Sequence, residues 1–299
     1  MTAATGAPVV AGVDGSTHQQ RVVEWAVAEA RLRKRPLVLV HAYDWARLGE
    51  PFAAAPYGAV QEAYHEVAAG IRDAALAAAC AAAPDLDVTA RVADGGAAGV
   101  LVAASRSAAL VVVGHRGRGG FAELLTGSVA TQLAAHAASP VVVVRPPAGE
   151  GPQAGRVVLG VDGSPGSAAA IDFAFEEAAL RELGVTAVHA WTGPVSTGPG
   201  DMLPLVYDAD EVRAEETRVL AEALAGRRER YPEVDVRRLV VRGRPAHALR
   251  TLSAGAALLV VGARGRGGFA GLRLGSVSRT VLHHAHGPLA VVHRPAPRG

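Results

Sequence analysis

An internal repeat is the sequence feature that most constrains how this chain can fold. The tetrapeptide Val-Asp-Gly-Ser at 13–16 returns at 161–164, so that Asp14 and Asp162 are 148 positions apart. A Gly-x-x-Gly at 114–117 and a Gly-Ser-Val at 127–129 return with the same offset, at 262–265 and 275–277. A constant offset predicts two copies of one domain. We place them at residues 1–146 and 155–299, with the Pro- and Gly-rich segment Arg145–Arg156 as the linker.

Short Val-rich runs alternate with longer Ala-, Leu- and Glu-rich stretches within each copy. Such short apolar runs are typical of buried parallel strands, and in the first copy they are Val9–Val13, Leu37–Val40, Val88–Val92, Leu110–Val113 and Val141–Val144. The helical stretches are Ser16 to about Lys34, Ala59–Ala83, Gly99–Arg106 and Ser128–Ala138, and we expect Ser16 to cap the first. Five strands alternating with four helices predict a doubly wound α/β domain with a five-stranded parallel sheet.

Charge and composition exclude several classes of partner. The formal net charge is only +2 and Lys34 is the only lysine, which disfavours a general nucleic-acid binder. Cys80 is the only cysteine, so no intrachain disulfide can form, and we expect it to be a small core residue of the second helix. The sequence shows neither a signal peptide nor an apolar run long enough to span a bilayer. We therefore expect a cytoplasmic protein without a membrane partner.

The repeated motifs follow two predicted strands, where an open parallel sheet binds its ligands. Asp14 follows the first strand and Gly114 follows the fourth, and if these strands are neighbours the motifs face one crevice. Glycine at 114 lets a flat ring or sugar approach the backbone, and Gly117 permits a turn that other residues would resist. Arg116 and Arg118 add charge to the loop. The helix start at Gly127-Ser128 offers free amides and a hydroxyl to phosphate oxygens.

The spacing Gly-x-x-Gly, nine residues, Gly-Ser is similar to the ATP-binding signature of the universal stress protein family. The resemblance covers nearly the whole chain, in the tandem two-domain form of that family. It implies a Rossmann-like strand order 3-2-1-4-5, as in the adenine-nucleotide alpha-hydrolases. It also implies one adenine nucleotide, ATP with Mg²⁺, in each copy.

The resemblance also implies which residues bind the nucleotide. In the first copy they are Gly12, Val13, Asp14, Ala42, Val113, Gly114, Arg116, Gly117, Gly127, Ser128 and Val129. In the second copy they are Gly160, Val161, Asp162, Ala190, Val261, Gly262, Arg264, Gly265, Gly275, Ser276 and Val277. Asp14 would hold the adenosine, Gly114 and Gly117 the ribose and first phosphates, and 127–129 the outer phosphates. Some relatives have His where this chain has Arg116 and Arg264.

The sequence favours a nucleotide-dependent stress-response regulator over an enzyme. Hydrolysis requires groups that orient water and stabilise charge on the transferred phosphate. No Walker-type lysine pattern is present, and Glu123, the one acid of the first Gly-rich loop, is matched by Gly271 in the second. We expect slow hydrolysis at most. The alternatives are an ATPase or adenylate-using enzyme, and an assembly protein whose sites bind nothing.

Two sets of histidines could suggest other chemistry. His41 and His189 are repeated at the end of the second strand of each copy, where we expect packing or a strand-end hydrogen bond rather than direct catalysis. His283, His284 and His286 are not part of the repeat, and we expect a solvated helix end rather than a metal site.

The predicted strand order leaves the fifth strands, Val141–Val144 and Leu289–Val292, at sheet edges. Proteins normally cover an apolar edge, and single-domain relatives dimerise through this strand. We expect the two fifth strands to pair within the chain. A homodimer of chains and a regulatory protein partner are further expectations from the resemblance.

Overall fold

The computed structural model describes residues 6–44, 57–117, 126–146, 149, 151–192, 209–266 and 273–294. The chain divides into two compact units between Pro146 and Pro147. Arg118, Glu123 and Gly271 lie outside the described residues.

In the first unit, strands and helices alternate along the chain. The elements are β1 (Val9–Gly12), α1 (Gln19–Leu32), β2 (Leu37–Tyr43), α2 (Tyr57–Ala82), β3 (Val88–Asp94), α3 (Ala97–Ala104), β4 (Leu110–Gly114), α4 (Ser128–His136) and β5 (Val141–Val144). The five predicted strands and four predicted helices are all present, with bounds shifted by a few residues.

The second unit repeats this alternation. Its elements are β6 (Arg156–Gly160), a short 3-10 helix (Pro165–Ser167), α5 (Ala168–Leu180), β7 (Gly184–Trp191), α6 (Ala209–Ala223), α7 (Arg227–Arg230), β8 (Val236–Arg242), α8 (Pro245–Leu252), β9 (Leu258–Gly262), α9 (Ser276–His284) and β10 (Leu289–Val292).

Each unit is built on a parallel five-stranded sheet whose order reverses beside its first strand. The order is β3-β2-β1-β4-β5 in the first unit and β8-β7-β6-β9-β10 in the second. Val9 on β1 lies opposite both Leu37 on β2 and Leu110 on β4. The inner strands are buried, as their continuous apolar runs require. The predicted doubly wound fold and strand order 3-2-1-4-5 are therefore confirmed, and the ends of β1 and β4 lie side by side.

The prediction that Ser16 caps the first helix is wrong. Helix α1 begins at Gln19, and its cap residue His18 makes no side-chain capping bond. The chain turns first at Gly15, whose φ of +72° lies in the left-handed region that glycine adopts without strain. The Ser16 N–H then donates to Asp14 Oδ1 at 3.0 Å. Ser16 thus belongs to a turn around the aspartate.

The prediction that Cys80 is a core residue is also wrong, because Cys80 is exposed. The buried residues of α2 include Ala68, Ala75 and Ala79, which share one face of the helix. Cys80 lies next to Ala79 and is turned about 100° away from it. In an Ala-rich helix the small residues on both faces look alike in the sequence, which hides the buried face.

Candidate functional site

A cavity lies at the carboxyl ends of β1, β2 and β4 in the first unit and continues to the start of α4. Its volume is about 560 Å³. All the residues predicted to bind nucleotide in the first copy line it, namely Gly12, Val13, Asp14, Ala42, Val113, Gly114, Arg116, Gly117, Gly127, Ser128 and Val129. Their role in binding stays a prediction.

The second unit has the matching cavity, with a volume of about 530 Å³. All the residues predicted for the second copy line it, namely Gly160, Val161, Asp162, Ala190, Val261, Gly262, Arg264, Gly265, Gly275, Ser276 and Val277. The two cavities occupy equivalent places in their units because each lies where the strand order reverses.

The carboxylate of Asp14 joins two loops of the first unit. Its Oδ1 accepts the Ser16 N–H, and its Oδ2 lies against Gly117 in the loop after β4. A Cβ on Gly117 would overlap this oxygen. We call this arrangement the Asp–Gly contact. It explains why the aspartate and the second glycine of Gly-x-x-Gly return together in the second copy.

The same contact is present in the second unit. Asp162 Oδ1 accepts the Ser164 N–H at 3.0 Å and the Ser164 hydroxyl at 2.7 Å. Its Oδ2 accepts the Arg266 N–H at 2.7 Å and lies where a Cβ on Gly265 would be. In each unit the Asp–Gly contact holds the loop after the fourth strand over the end of the first.

The start of α4 faces the first cavity with its backbone amides. The Gly127 N–H donates to His115 O at 2.7 Å, which closes the loop, and the helix begins at Ser128. Its first internal bond runs from Thr131 N–H to Gly127 O at 3.2 Å. The N–H groups of 128–130 therefore have no acceptor inside the helix, and such groups bind anions well. Gly275 N–H donates to Ala263 O at 2.8 Å at the equivalent point of the second unit.

Two arginines and two histidines lie around the first of these turns. Arg116 lines the cavity, and its buried Nε has no hydrogen-bond partner among the described residues. Arg145 donates from Nη2 to the hydroxyl of Thr126 at 3.0 Å, and the rings of His18 and His115 are 5.2 Å apart. Burial and the nearby Arg145 lower the pKa of His115 to about 4, so this imidazole is neutral at pH 7. Burial and Arg116 lower the pKa of Arg145 to about 10, which leaves it charged.

Sequence reasoning missed His18, His115 and Arg145 as neighbours of the site. The positions 148 residues further on hold Gly166, Ala263 and His293, so a search for repeated residues passes over them. Their proximity to the loop depends on strand pairing, since His115 N–H donates to Val144 O at 3.0 Å beside Arg145.

The repeated histidines make the predicted strand-end hydrogen bonds. His41 Nδ1 is 2.8 Å from Val13 O, and His189 Nδ1 is 2.8 Å from Val161 O. Each ring thus joins the end of the second strand to the first. His189 Nε2 also lies 2.7 Å from Oε2 of Glu216, a cavity residue that the sequence did not indicate.

The remaining candidate groups lie elsewhere. Helix α9 ends at His284, and His284 and His286 are exposed, as predicted for a solvated helix end. Within the described ranges no group of three or more His, Cys, Asp or Glu side chains is placed to hold a metal ion. None of the helices described is both long and apolar enough to cross a membrane.

Comparison with known proteins gives the same family for both units. The profile of the Universal stress protein family matches residues 7–145 and again 154–293. The chain is 36% identical to Universal stress protein Rv1996 of Mycobacterium tuberculosis, over 97% of this chain and 96% of that protein. The crystal structure of a universal stress protein from Archaeoglobus fulgidus DSM 4304 covers 97% of both chains with a TM-score of 0.63 at 18% identity. A universal stress protein from Archaeoglobus fulgidus in complex with dAMP covers 46% of this chain and 98% of its own, with 22% identity and a TM-score of 0.35.

Two matches of the family profile and the full-length relative agree with the two equivalent units and cavities. The chain belongs to the universal stress protein family.

Proposed function

We propose that residues 1–146 and 155–299 form two domains that each bind one adenine nucleotide, ATP with Mg²⁺. The protein then acts as a nucleotide-dependent stress-response regulator with slow hydrolysis at most. The observation that carries this proposal is the Asp–Gly contact, which in both units lies in one cavity with an uncapped helix start.

The size and chemistry of the first cavity fit a nucleotide. Small-molecule sites usually enclose about 300–1,000 Å³ and have mainly apolar walls, and this cavity encloses about 560 Å³. Val13, Val40 and Leu101 supply apolar wall for a base. At the start of α4 and in the loop after β4, the amides at 128–130 and the Arg116 guanidinium supply donors for phosphate oxygens.

The aspartates are the candidate ligands for Mg²⁺. This ion is usually held by one or two carboxylates together with phosphates and water. Asp14 and Asp162 are the carboxylates beside the two Gly-rich loops, and Ser128 and Ser276 place hydroxyls in the same cavities.

The residues around the cavities support slow hydrolysis. Among the described residues that line the first cavity, Asp14 is the only acid and Arg116 the only cation. A fast phosphoryl-transfer site needs further groups to orient water and to stabilise the transition state. In the second cavity Glu216 is engaged by His189.

Chromatography of an acid extract of the purified protein tests the proposal. We expect the extract to contain adenine nucleotide, with ATP as the main species. The Gly117→Ala/Gly265→Ala protein, purified in parallel, should release much less, because each new methyl group displaces an aspartate carboxylate. An extract without adenine nucleotide, together with no heat on adding Mg-ATP, would refute the proposal.

We also propose that the protein works in the cytoplasm, as a homodimer with a regulatory protein partner. Light scattering tests the dimer, and a monomeric mass would contradict it.

A further inference from the structure

We propose that Glu216 selects the base in the second cavity by accepting a hydrogen bond from the 6-amino group of adenine. The second site then discriminates adenine from a purine with a 6-carbonyl, while the first site does not. This inference rests on the proposed function and goes beyond it, because it makes the two sites unequal.

Glu216 lies on α6 and lines the second cavity beside the end of β7. Its side chain is 23% exposed, and its Oε2 is 2.7 Å from His189 Nε2. Among the described residues His189 is its only hydrogen-bond partner. A carboxylate has two oxygens, so Oε1 is left to accept a bond from a ligand.

The His189 ring positions this carboxylate. Its Nδ1 faces Val161 O at 2.8 Å, and a carbonyl oxygen only accepts, so we assign a proton to Nδ1. Its Nε2 faces Glu216 Oε2 at 2.7 Å, so a second proton lies between these two atoms, and Oε1 stays an acceptor whichever of them carries it. With both ring nitrogens engaged, His189 has none left to exchange a proton with a ligand. It fixes the direction of the Glu216 side chain.

The location of Glu216 decides which part of a ligand it meets. The phosphate end of the cavity is formed by Gly265 and by 275–277 at the start of α9. Glu216 lines the cavity with Trp191 and Thr192, at the carboxyl end of β7. A nucleotide with its phosphates on the helix start places its nucleoside beside these residues. In this position the Glu216 carboxylate is next to the nucleoside and away from the negatively charged phosphates, which would repel it.

A carboxylate accepts hydrogen bonds and donates none, so it favours a ligand that carries a donor. The 6-amino group of adenine is such a donor. The 6-carbonyl of hypoxanthine would place an acceptor opposite Glu216, and the base would have to shift before its N1–H could donate to the carboxylate instead. Such a mismatch is costly in a partly buried site. A site built to bond a donor rejects the analogue that lacks it more strongly than an apolar pocket does.

The described part of the first unit places no equivalent acceptor in its cavity. The position 148 residues before Glu216 is Ala68, which is 2% exposed on α2. His41 keeps its bond to Val13 O at 2.8 Å. Among the described residues lining the first cavity, Asp14 is the only carboxylate, and it belongs to the Asp–Gly contact. The first unit is therefore an internal control for the second.

Calorimetric titrations with Mg-ATP and Mg-ITP, which differ in the group at position 6 of the base and in the hydrogen on N1, test this inference. Gly117→Ala weakens the first site and leaves the second to be measured, and Gly265→Ala does the reverse. We expect the second site to bind ATP at least about tenfold more tightly than ITP, and the first site to show a ratio near one.

Two substitutions in the Gly117→Ala background supply the decisive comparison. Glu216→Ala copies Ala68 and should bring the ATP/ITP ratio of the second site close to one. Glu216→Gln keeps the shape of the side chain, and its amide can donate to a carbonyl, so it should raise the affinity for ITP. Far-UV circular dichroism and urea midpoints check that both variants fold.

Three outcomes overturn the inference while leaving nucleotide binding intact. The first is a ratio of ATP to ITP affinity at the second site that neither substitution changes. The second is a first site with the same preference for ATP as the second site. The third is a second site that binds 2′-deoxy-ATP more weakly than ATP but binds ITP as tightly as ATP. The last would assign Glu216 to the ribose. If neither the wild type nor any of the variants binds ATP or ITP, the proposed function itself fails.

Discussion

At the residue scale, the Asp–Gly contact holds the loop after the fourth strand against an aspartate carboxylate in each unit. The repeat indicated Asp14 and Gly117 as site residues, because both return after 148 positions. It did not indicate that they touch, since they belong to loops far apart in the sequence that only the pairing of β1 with β4 brings together. Glu216 and His115 were missed for the opposite reason: their equivalents are Ala68 and Ala263, so neither is repeated.

The buried His115 predicts a pH dependence of stability in the first unit. Burial and Arg145 lower its pKa to about 4 in the folded state, against an ordinary value of 6.5. Between these values the unfolded chain binds a proton that the folded chain does not. The contribution of the neutral His115 to the free energy of unfolding is therefore complete above about pH 6.5 and is lost as the pH falls towards 4.

Urea unfolding at pH 7 and pH 5 measures this effect, with His115→Ala as the matched variant because Ala263 is its natural counterpart. We expect the wild-type protein to lose more stability between the two pH values than the variant does. The difference should be on the order of 1 kcal/mol. An equal loss in both proteins would show that His115 is not the group responsible.

At the element scale, alternation of apolar runs predicted every strand of the first unit, and the resemblance to the family implied the order of the sheet. Helix starts were harder, because the turn at Gly15 and the Asp14 carboxylate use Ser16 before α1 begins. The sequence also did not indicate which interactions join the amino ends of the strands in the second sheet. There Arg156 opens β6, at the position where the first unit has Pro8.

The side chain of Arg156 is buried and joins β6 to β7 and to the turn before β8. It donates to Thr186 Oγ1 at 2.9 Å and to Val185 O at 2.7 Å. It also donates to Asp235 Oδ2 at 2.7 Å and to Asp235 O at 2.9 Å. Arg156→Ala should therefore lower the free energy of unfolding by about 1–3 kcal/mol, since it leaves buried acceptors without a donor.

Arg237→Ala is the control for this substitution. Arg237 approaches the same Asp235 at 3.7 Å, but its side chain is 64% exposed, and exposed ion pairs add little to stability. Urea midpoints of the two variants should differ clearly. Similar midpoints would mean that the buried hydrogen bonds of Arg156 do not hold the strands together.

At the scale of the whole molecule, the chain consists of two units that share one architecture but differ around their cavities. The first has His18, His115 and Arg145 near its helix start, and the second has Glu216 beside β7. The duplication could be predicted from the sequence because the repeated residues recur at a constant offset along the chain. These differences were not, because they depend on which side chains folding brings together. We propose that each unit nevertheless holds one nucleotide.

Calorimetric titration with Mg-ATP of the wild type, Gly117→Ala, Gly265→Ala and the double variant tests this claim most directly. Gly70→Ala is the matched control, because a Cβ there meets no atom within 4 Å. We predict two nucleotides per chain for the wild type and the control, one for each single variant, and at least about tenfold weaker binding at both sites of the double variant, a loss of roughly 1.4 kcal/mol or more. No binding by the wild type, or two sites of unchanged affinity in the double variant, would contradict the account.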